Sequence, residues 1–275
     1  MQILILGGSG QLGSELCSIF PDAISTFNTN ENKGIKLDVT QFHKLEDFVL
    51  KSSPELVINA VAYTDVDGCE TNKERALAVN ALAVKHLVRA CRVLGCYLVH
   101  ISTDYVFDGT KGLYKEEDTP NPVNYYGLTK LLGECYALSY DEALVIRTSG
   151  VFKSKGFPLH VIRLLKRNQK VKALRGYYSP ISARRLALAI YQLVKLKKTG
   201  ILHVASERVS RFEFANLIAE RLGLPKLIEE VDDLGLFAKR PFDSSLNCSR
   251  ARALLGDSLL SLQATLEDLL SYSKG

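Results

Sequence analysis

Seven residues near the start of the chain limit what it can fold into more than any others. Gly7-Gly8-Ser9-Gly10-Gln11-Leu12-Gly13 follows the apolar run Ile3-Leu4-Ile5-Leu6 and leads into Ser14-Glu15-Leu16-Cys17-Ser18-Ile19-Phe20, a pattern that predicts strand, tight turn and helix in succession. Gly8, Gly10 and Gly13 fit G-x-G-x-x-G, and Gly7, Gly10 and Gly13 fit G-x-x-G-x-x-G. Glycine suits such a turn because the backbone must turn sharply, approach a pyrophosphate with no Cβ in between, and aim a helix N-terminus at the phosphate charge. The pattern alone also fits an ordinary strand-to-helix turn. Its place at the N-terminus, after a buried-type strand and before an amphipathic helix, favours a dinucleotide pocket with Gly7, Gly10, Gln11, Leu12 and Gly13 as candidate cofactor contacts.

Length and composition set further limits. Its 275 residues are 47% apolar, enough for one large core or two modest ones, and no run approaches the roughly 18 apolar residues of a membrane span. Met1-Gln2 lead directly into a strand, without a basic n-region or small-residue cleavage site, so a cytoplasmic protein with no membrane partner is expected. The net charge of +5 is dispersed, although 163 to 175 and 195 to 198 are locally basic. These stretches have no aromatic stacking platform, so they read as solvated helix surface and no nucleic-acid partner is expected; a basic rim would also suit a phosphate-bearing substrate. The six cysteines contain no C-x-x-C pair and read as small buried hydrophobes.

Taken in order, a second strand near Ala23 to Phe27 ends at Asn28-Thr29-Asn30-Glu31-Asn32-Lys33-Gly34, where the cofactor ribose should lie. NAD-preferring sites usually place Asp or Glu there to hold the 2′-hydroxyl. Asn28 tolerates a 2′-phosphate that a carboxylate would repel, so NADP(H) is expected; NAD(H) stays open because no arginine is placed to clamp that phosphate. Asp38, followed by Val39, either reaches the adenine from a strand end or, like Thr40, caps the helix from Gln41 to Leu50. Leu56 to Ala62 reads as a buried parallel strand whose small residues, with Ala60, Ala62 and Tyr63 as candidates, let a cofactor lie close. Asn80 interrupts an apolar helical stripe between Glu70 and Leu94 and must either bond a neighbouring backbone or support the site. Tyr97 to Thr103 is the next buried strand, with Ser102 and Thr103 at its ligand-presenting end and His100 as a core histidine. Asn124 opens a helix carrying Tyr126 and Lys130, and Ala143 to Arg147 is the strand behind it. Past about Val151 the alternation loosens, with helical stripes at His160 to Arg167, Arg184 to Leu196 and Phe212 to Leu222 and a strand at Ile201 to Ala205.

Tyr126 and Lys130 are four residues apart and share a helix face. An ammonium beside a phenol favours the phenolate, so the pair predicts a proton donor and acceptor with a lowered tyrosine pKa. Tyr191 and Lys195 have the same spacing but lie mid-helix, away from any strand-end hydroxyl, and read as ordinary helix surface.

With these residues in view, Gly7 to Gly13, Asn59 to Asp67, Ser102-Thr103-Asp104-Tyr105-Val106-Phe107-Asp108-Gly109, Tyr126 to Lys130 and Arg147-Thr148-Ser149 together resemble the dTDP-4-dehydrorhamnose reductase family of extended short-chain dehydrogenases. The likeness resumes at Arg240-Pro241 through Ser244 and Leu246. It implies an α/β fold with a doubly wound, seven-stranded parallel Rossmann sheet and a small C-terminal substrate-binding lobe. In that reading residues 1–152 form an NADP-binding domain to which 181–206 return, and 153–275 form most of an interleaved substrate lobe. It also implies Thr103, Tyr126 and Lys130 as the catalytic set; Ser102, Tyr126 and Lys130 as cofactor contacts; and Thr103, Asp104, Tyr105 and Arg240 as contacts to a nucleotide sugar. The activity implied is NADPH-dependent reduction of the C4 ketone of a nucleotide-linked 4-keto-6-deoxy sugar. A sugar-nucleotide epimerase or 4,6-dehydratase would use the same Tyr-Lys pair, but a dehydratase usually carries Asp-Glu after the strand-end threonine, and here the residues are Asp104-Tyr105. A non-catalytic NADP-binding regulatory subunit is the other alternative, since the resemblance extends to the regulatory subunit of methionine adenosyltransferase.

Two departures bear on the substrate. Bacterial members commonly have an aromatic residue after the Arg-Thr-Ser run where this chain has Gly150, which leaves room for a bulkier or different sugar. Gly176-Tyr177-Tyr178-Ser179-Pro180 also differs from their usual substrate-lobe sequence. Some members bind magnesium at a dimer interface through acidic residues. A homodimer is compatible with the resemblance, but Glu15 is the one candidate ligand and no metal is expected.

Overall fold

The computed structural model describes residues 1–28 and 34–273. The chain begins with β1 (Ile3–Leu6), α1 (Gln11–Ile19), β2 (Ile24–Phe27), β3 (Ile35–Lys36), α2 (Phe42–Ser52), β4 (Leu56–Asn59), α3 (Val66–Thr71), α4 (Lys73–Leu77), α5 (Ala83–Leu94), β5 (Tyr97–Thr103), α6 (Tyr125–Leu138) and β6 (Ala143–Thr148). It continues through α7 (Phe157–Leu165), β7 (Val171–Leu174), β8 (Tyr177–Tyr178), α8 (Ala183–Lys195), β9 (Gly200–His203), β10 (Val209–Ser210), α9 (Arg211–Leu222), β11 (Ile228–Val231), α10 (Ser249–Leu255) and α11 (Leu262–Tyr272).

Seven strands form one parallel sheet in the order β3-β2-β1-β4-β5-β6-β9. The central strands are continuous apolar runs because helices cover both faces, and the two-residue period of a strand divides each run between them. Ile3 and Ile5 of β1, Leu56 and Ile58 of β4, and Leu144 and Ile146 of β6 join one core with Leu16 of α1 and Leu186 and Ile190 of α8. Leu4, Leu6, Val57 and Val145 face the other way, onto Leu45 and Val49 of α2 and Leu87 of α5. This is the doubly wound Rossmann arrangement. The strand order reverses on either side of β1, and that switch point is where such sheets leave a crevice at their carboxyl ends.

A third core, including Phe152, Val161, Leu165, Phe214, Ile218 and Leu269, gathers α7, α9 and α11 around two small sheets. In these, β11 pairs with β7 in parallel and β10 with β8 antiparallel. Neither the small sheets nor the helices α10 and α11 were marked by periodicity.

Several boundaries differ from the sequence expectation. The strand at 56 ends at Asn59 rather than Ala62. The stripe from 70 to 94 is broken at Asn72, whose side chain caps α4 by accepting from the Arg75 amide, and it then loosens into a π turn at Ala78–Leu82. Gln41, not Asp38 or Thr40, stands at the start of α2 and makes no side-chain cap; Asp38 Oδ1 instead accepts from the amide and hydroxyl of Thr40 at 2.9 and 2.7 Å. Of the cysteines, Cys69, Cys91, Cys96 and Cys248 are buried, whereas Cys17 is half-buried and Cys135 lies exposed on α6. Among the described residues no helix is long and apolar enough to cross a membrane.

Candidate active site

The glycine turn is as tight as its sequence demands. Gly7 sits at φ +86°, a conformation that disfavours a side chain, and a Cβ on Gly13 would lie 2.0 Å from the Gly7 carbonyl oxygen. Gly10 caps α1 in extended conformation with no side chain on the helix's first amides. The cradle therefore fits a pyrophosphate: its backbone is bare, and the helix's positive end is not taken up by a capping side chain.

On one side of the turn a cavity of about 530 Å³ runs to Asn28, Asp38, Val39, Ala60, Ala62 and Tyr63, which brings together the residues expected around the adenosine. Residues 29–33 of the predicted ribose loop lie outside the described residues. Arg75 also lines this cavity, with its guanidinium 5.1 Å from the Tyr63 ring centroid. Arg75 carries no signal in the sequence, because it comes from α4, nearly fifty residues past β2. Asn80 takes the first of its two alternatives, bonding a nearby backbone, and through it braces the cavity wall. Its amide accepts from the Tyr63 N–H at 2.8 Å and donates to the Tyr63 carbonyl and to Thr129 Oγ1, both at 3.1 Å, fixing the loop that walls the cavity.

On the other side a cavity of about 620 Å³ joins Gly10, Gln11 and Leu12 to Ser102, Thr103, Tyr126 and Lys130. Thr103 ends β5, and Tyr126 lies in the first turn of α6. Asn124 starts that helix by accepting from the Gly127 amide at 2.8 Å, and a Cβ at Gly127 would sit 2.1 Å from the Tyr105 carbonyl. That close approach brings the Tyr126 phenol into hydrogen-bond reach of Thr103. Lys130 is 1% exposed and donates to the Ile101 carbonyl at 2.6 Å. One turn on, Glu134 accepts from Ser102 Oγ at 2.5 Å and forms a bidentate pair with Arg147, its closest contact 2.7 Å. Consecutive turns of α6 are thus stitched to consecutive residues of β5 directly beneath Thr103.

The expected lowering of the tyrosine pKa is not what the protein supplies. Burial pushes the Tyr126 phenol well above its ordinary value, with the hydrogen bond to Thr103 opposing, and the neighbouring lysine does not reverse this. Burial brings Lys130 down to about 8, with Glu134 pulling the other way. The phenol is therefore held protonated at neutral pH. His100 is fully buried, bonds Asn59 Nδ2 through Nδ1 at 3.1 Å and is kept neutral by burial, as expected of a core histidine. In the second Tyr-Lys pair the Lys195 ammonium lies 4.1 Å from the Tyr191 ring centroid on α8, far in sequence from the strand-end hydroxyls.

Of the residues assigned to a nucleotide sugar, Tyr105 and Arg240 line a third cavity of about 470 Å³ together with His160, Lys170, Lys172 and Arg211. The Tyr105 ring meets Tyr126 edge-on at 5.9 Å, so this cavity adjoins the one that holds Thr103 and Tyr126. Arg240 also donates to Asp67 Oδ1 at 2.9 Å. Asp104 has a different placement. It is 3% exposed, and its carboxylate accepts from Ser149 at 2.7 Å, Ser244 at 2.5 Å and Thr103 at 3.1 Å; it acts as a strut joining three segments. Lys170 and Lys172 fall in the basic stretch read as helix surface. Part of that stretch is strand β7, which places Lys172 on the cavity. Arg211 opens α9 and carried no signal in the sequence.

Gln11 does more than line the cavity it shares with Tyr126 and Lys130. Its Oε1 accepts from the backbone amides of Lys153, Ser154 and Lys155 at 2.9, 3.0 and 2.8 Å, and the Lys153 ammonium pairs with Glu15 at 2.8 Å. The room expected at Gly150 is absent, because the ring of Tyr178 fills it.

The family model described as RmlD substrate binding domain matches residues 1–274, and the chain belongs to that family. It is 33% identical to the probable low-salt glycan biosynthesis reductase Agl14 of Haloferax volcanii, over 98% of this chain and 96% of the relative. The crystal structure of a hypothetical dTDP-4-dehydrorhamnose reductase from Sulfolobus tokodaii superposes with a TM-score of 0.94 at 55% identity, covering 98% of this chain and 99% of that one. A dTDP-4-dehydrorhamnose reductase from Bacillus anthracis, solved in complex with NADP, superposes at 0.87 with 27% identity over 100% and 99% of the two chains.

Proposed function

We propose that the chain is an NADPH-dependent reductase of the C4 ketone of a dTDP-linked 4-keto-6-deoxy sugar, acting in dTDP-rhamnose synthesis. The observation that carries the reading is the placement of Thr103, Tyr126 and Lys130 between a glycine cradle on one side and a cavity ringed by Lys170, Lys172, Arg211 and Arg240 on the other. A reduced nicotinamide, when bound, supplies hydride to the ketone carbon. Thr103 hydrogen-bonds the carbonyl oxygen, and Tyr126 gives its proton to the forming alkoxide, which completes the secondary alcohol. The raised phenol pKa suits this direction, because reduction consumes a proton from a group that must arrive protonated. Lys130 holds the cofactor ribose. The four cations attract the diphosphate and hold it by charge-assisted hydrogen bonds.

Asn28 at the ribose end and Arg75 in the same cavity support NADPH over NADH. The named reductases among the relatives and the NADP bound by the Bacillus anthracis enzyme point the same way. Incubating the protein with NADPH and a panel of nucleotide-linked 4-keto sugars, read at the nicotinamide absorbance, tests the reading. Turnover with the dTDP-linked 4-keto-6-deoxy sugar is expected. Tight NADPH binding without oxidation, together with co-purification of a partner enzyme, would establish a regulatory subunit instead.

A further inference from the structure

The segment between β6 and α7 is fastened to the glycine turn. It leaves the sheet through Gly150 at φ +53° and enters α7 through Gly156 at φ +110°, both left-handed positions that favour glycine. Between them the amides of Lys153, Ser154 and Lys155 all point at one atom, Gln11 Oε1, at 2.9, 3.0 and 2.8 Å, and Gln11 Nε2 reaches the Val151 carbonyl at 3.5 Å. Three consecutive N–H groups converging on a single oxygen fix the backbone of this strap. Gln11 is the first residue of α1, immediately after the uncapped Gly10. The strap is thereby held against the end of α1 that the bare glycine cradle presents to a diphosphate.

The two lysines of the strap differ in what they already hold. The Lys153 ammonium pairs with Glu15 at 2.8 Å and donates to Ser14 Oγ at 2.9 Å. Lys155 is exposed, lines the cavity that also holds Gly10 and Gln11, and has no ion pair or side-chain hydrogen bond among the described residues. Of the other cations on the two cavities beside the turn, Lys130 is buried against the Ile101 carbonyl and Arg75 lies over the Tyr63 ring at the adenosine end. A diphosphate carries more negative charge than the roughly half a positive charge at the end of a helix offsets. The Lys155 amide is fixed 2.8 Å from the Gln11 side chain, so a lysine stem anchored there reaches the cradle without any backbone movement.

We propose that Lys155 is a cofactor-binding residue whose ammonium donates to the diphosphate of the bound dinucleotide, and that Gln11 is the positioning residue that holds it there. The inference rests on the cofactor part of the proposed function and not on the identity of the sugar. The Gln11 side chain, although it belongs to the glycine turn, serves the strap, and the strap brings the charge that the turn lacks.

Fluorescence titration of Lys155→Ala should give a Kd about tenfold or more higher for NADPH and for NADH alike, because the diphosphate is common to both. The Tm should stay at the wild-type value, since the side chain is exposed. Added salt should weaken cofactor binding more steeply in the wild type than in Lys155→Ala, and Lys155→Arg, which keeps the charge, should restore most of the affinity. Gln11→Leu should also raise the Kd, and Lys155→Ala should then cost less in that background than alone; full additivity removes Gln11 as the positioning residue. An unchanged Kd in Lys155→Ala overturns the contact. A loss confined to NADPH overturns it too, since that places the ammonium on the 2′-phosphate. Wild-type protein that binds neither dinucleotide overturns the cofactor reading and this inference together, whereas protein that binds NADPH but reduces no 4-keto sugar overturns only the reductase reading.

Discussion

The glycine turn, Gly7 to Gly13, is one contiguous segment that offers bare backbone to the cavity beside it, although that cavity is also lined from 26–28, 37–40, 60–63 and 74–79. The cavity beyond Tyr105 is walled by side chains from five separate segments, at 105, 157–164, 170–174, 211 and 234–240. Backbone recognition needs residues without Cβ atoms at fixed spacing, and that constraint is written in the sequence. Side-chain recognition needs only that a lysine or arginine arrive from somewhere, and such residues are common on any surface. The glycine cradle is thus specified locally, whereas the cavity proposed for the sugar nucleotide is specified by tertiary assembly.

If the two halves are separable in this way, variants should divide between them, with Tyr126, the proposed proton donor, at their junction. Tyr126→Phe should give the largest effect, a fall in kcat of about 10²–10⁴-fold with NADPH binding retained, while Tyr191→Phe does nothing. Normal turnover in Tyr126→Phe would remove it as the acid. Gly13→Ala forces a methyl group against the Gly7 carbonyl, 2.0 Å away. It should weaken NADPH binding by about 100-fold or more and lower the Tm, since overpacking costs about 1–3 kcal/mol or more. If calorimetry showed an equal loss in sugar-nucleotide binding, the halves would not be independent.

Arg211→Ala should do the reverse, raising the substrate KM by about 10-fold or more and leaving the Kd for NADPH alone, because a hydrogen bond to a charged group contributes about 1.5–3 kcal/mol. Arg240→Ala should act in the same direction. An unchanged KM would remove that residue from the sugar half. Asn28→Asp should have the smallest effect, shifting cofactor preference toward NADH by severalfold through repulsion of the 2′-phosphate; competitive titration of the two cofactors would show it.

Lys130 gives a pH test in which stability and activity move oppositely. Its pKa in the folded protein is about 8, below the ordinary lysine value, so the unfolded chain binds that proton more tightly. Its contribution therefore makes the fold more stable as pH rises from about 8 toward its unfolded value, while below 8 the full cost of burying the charge is present. If the ammonium is what holds the ribose, kcat/KM should fall over the same range. Chemical denaturation and initial rates measured at matched pH values would separate the two trends.

Much of the first half was legible because its constraints are local. Apolar runs located β1, β4, β5 and β6; the glycines located the cradle; and the segment Asn124 to Lys130 was read as opening the helix carrying Tyr126 and Lys130. The pKa of Tyr126 was not legible, since it depends on how completely tertiary packing buries the phenol, and burial outweighs the nearby lysine. The strut role of Asp104 was hidden for a similar reason: its partners Ser149 and Ser244 stand 45 and 140 residues away. Gly150 was misread as room because the ring that fills it belongs to residue 178.

The position of β9 bears on how the molecule is made. It pairs with β6 through Leu144↔Gly200 to Arg147↔His203, yet α7, β7, β8 and α8 lie between the two strands in the chain. A nascent polypeptide that has completed β6 carries six strands with the outer edge of β6 bare. About fifty more residues must follow before that edge is covered, and an open apolar strand edge is a template for pairing with other chains. Synthesis that stalls before β9 has emerged should leave aggregation-prone ribosome-bound chains, whereas stalling once β9 is free to pair should not.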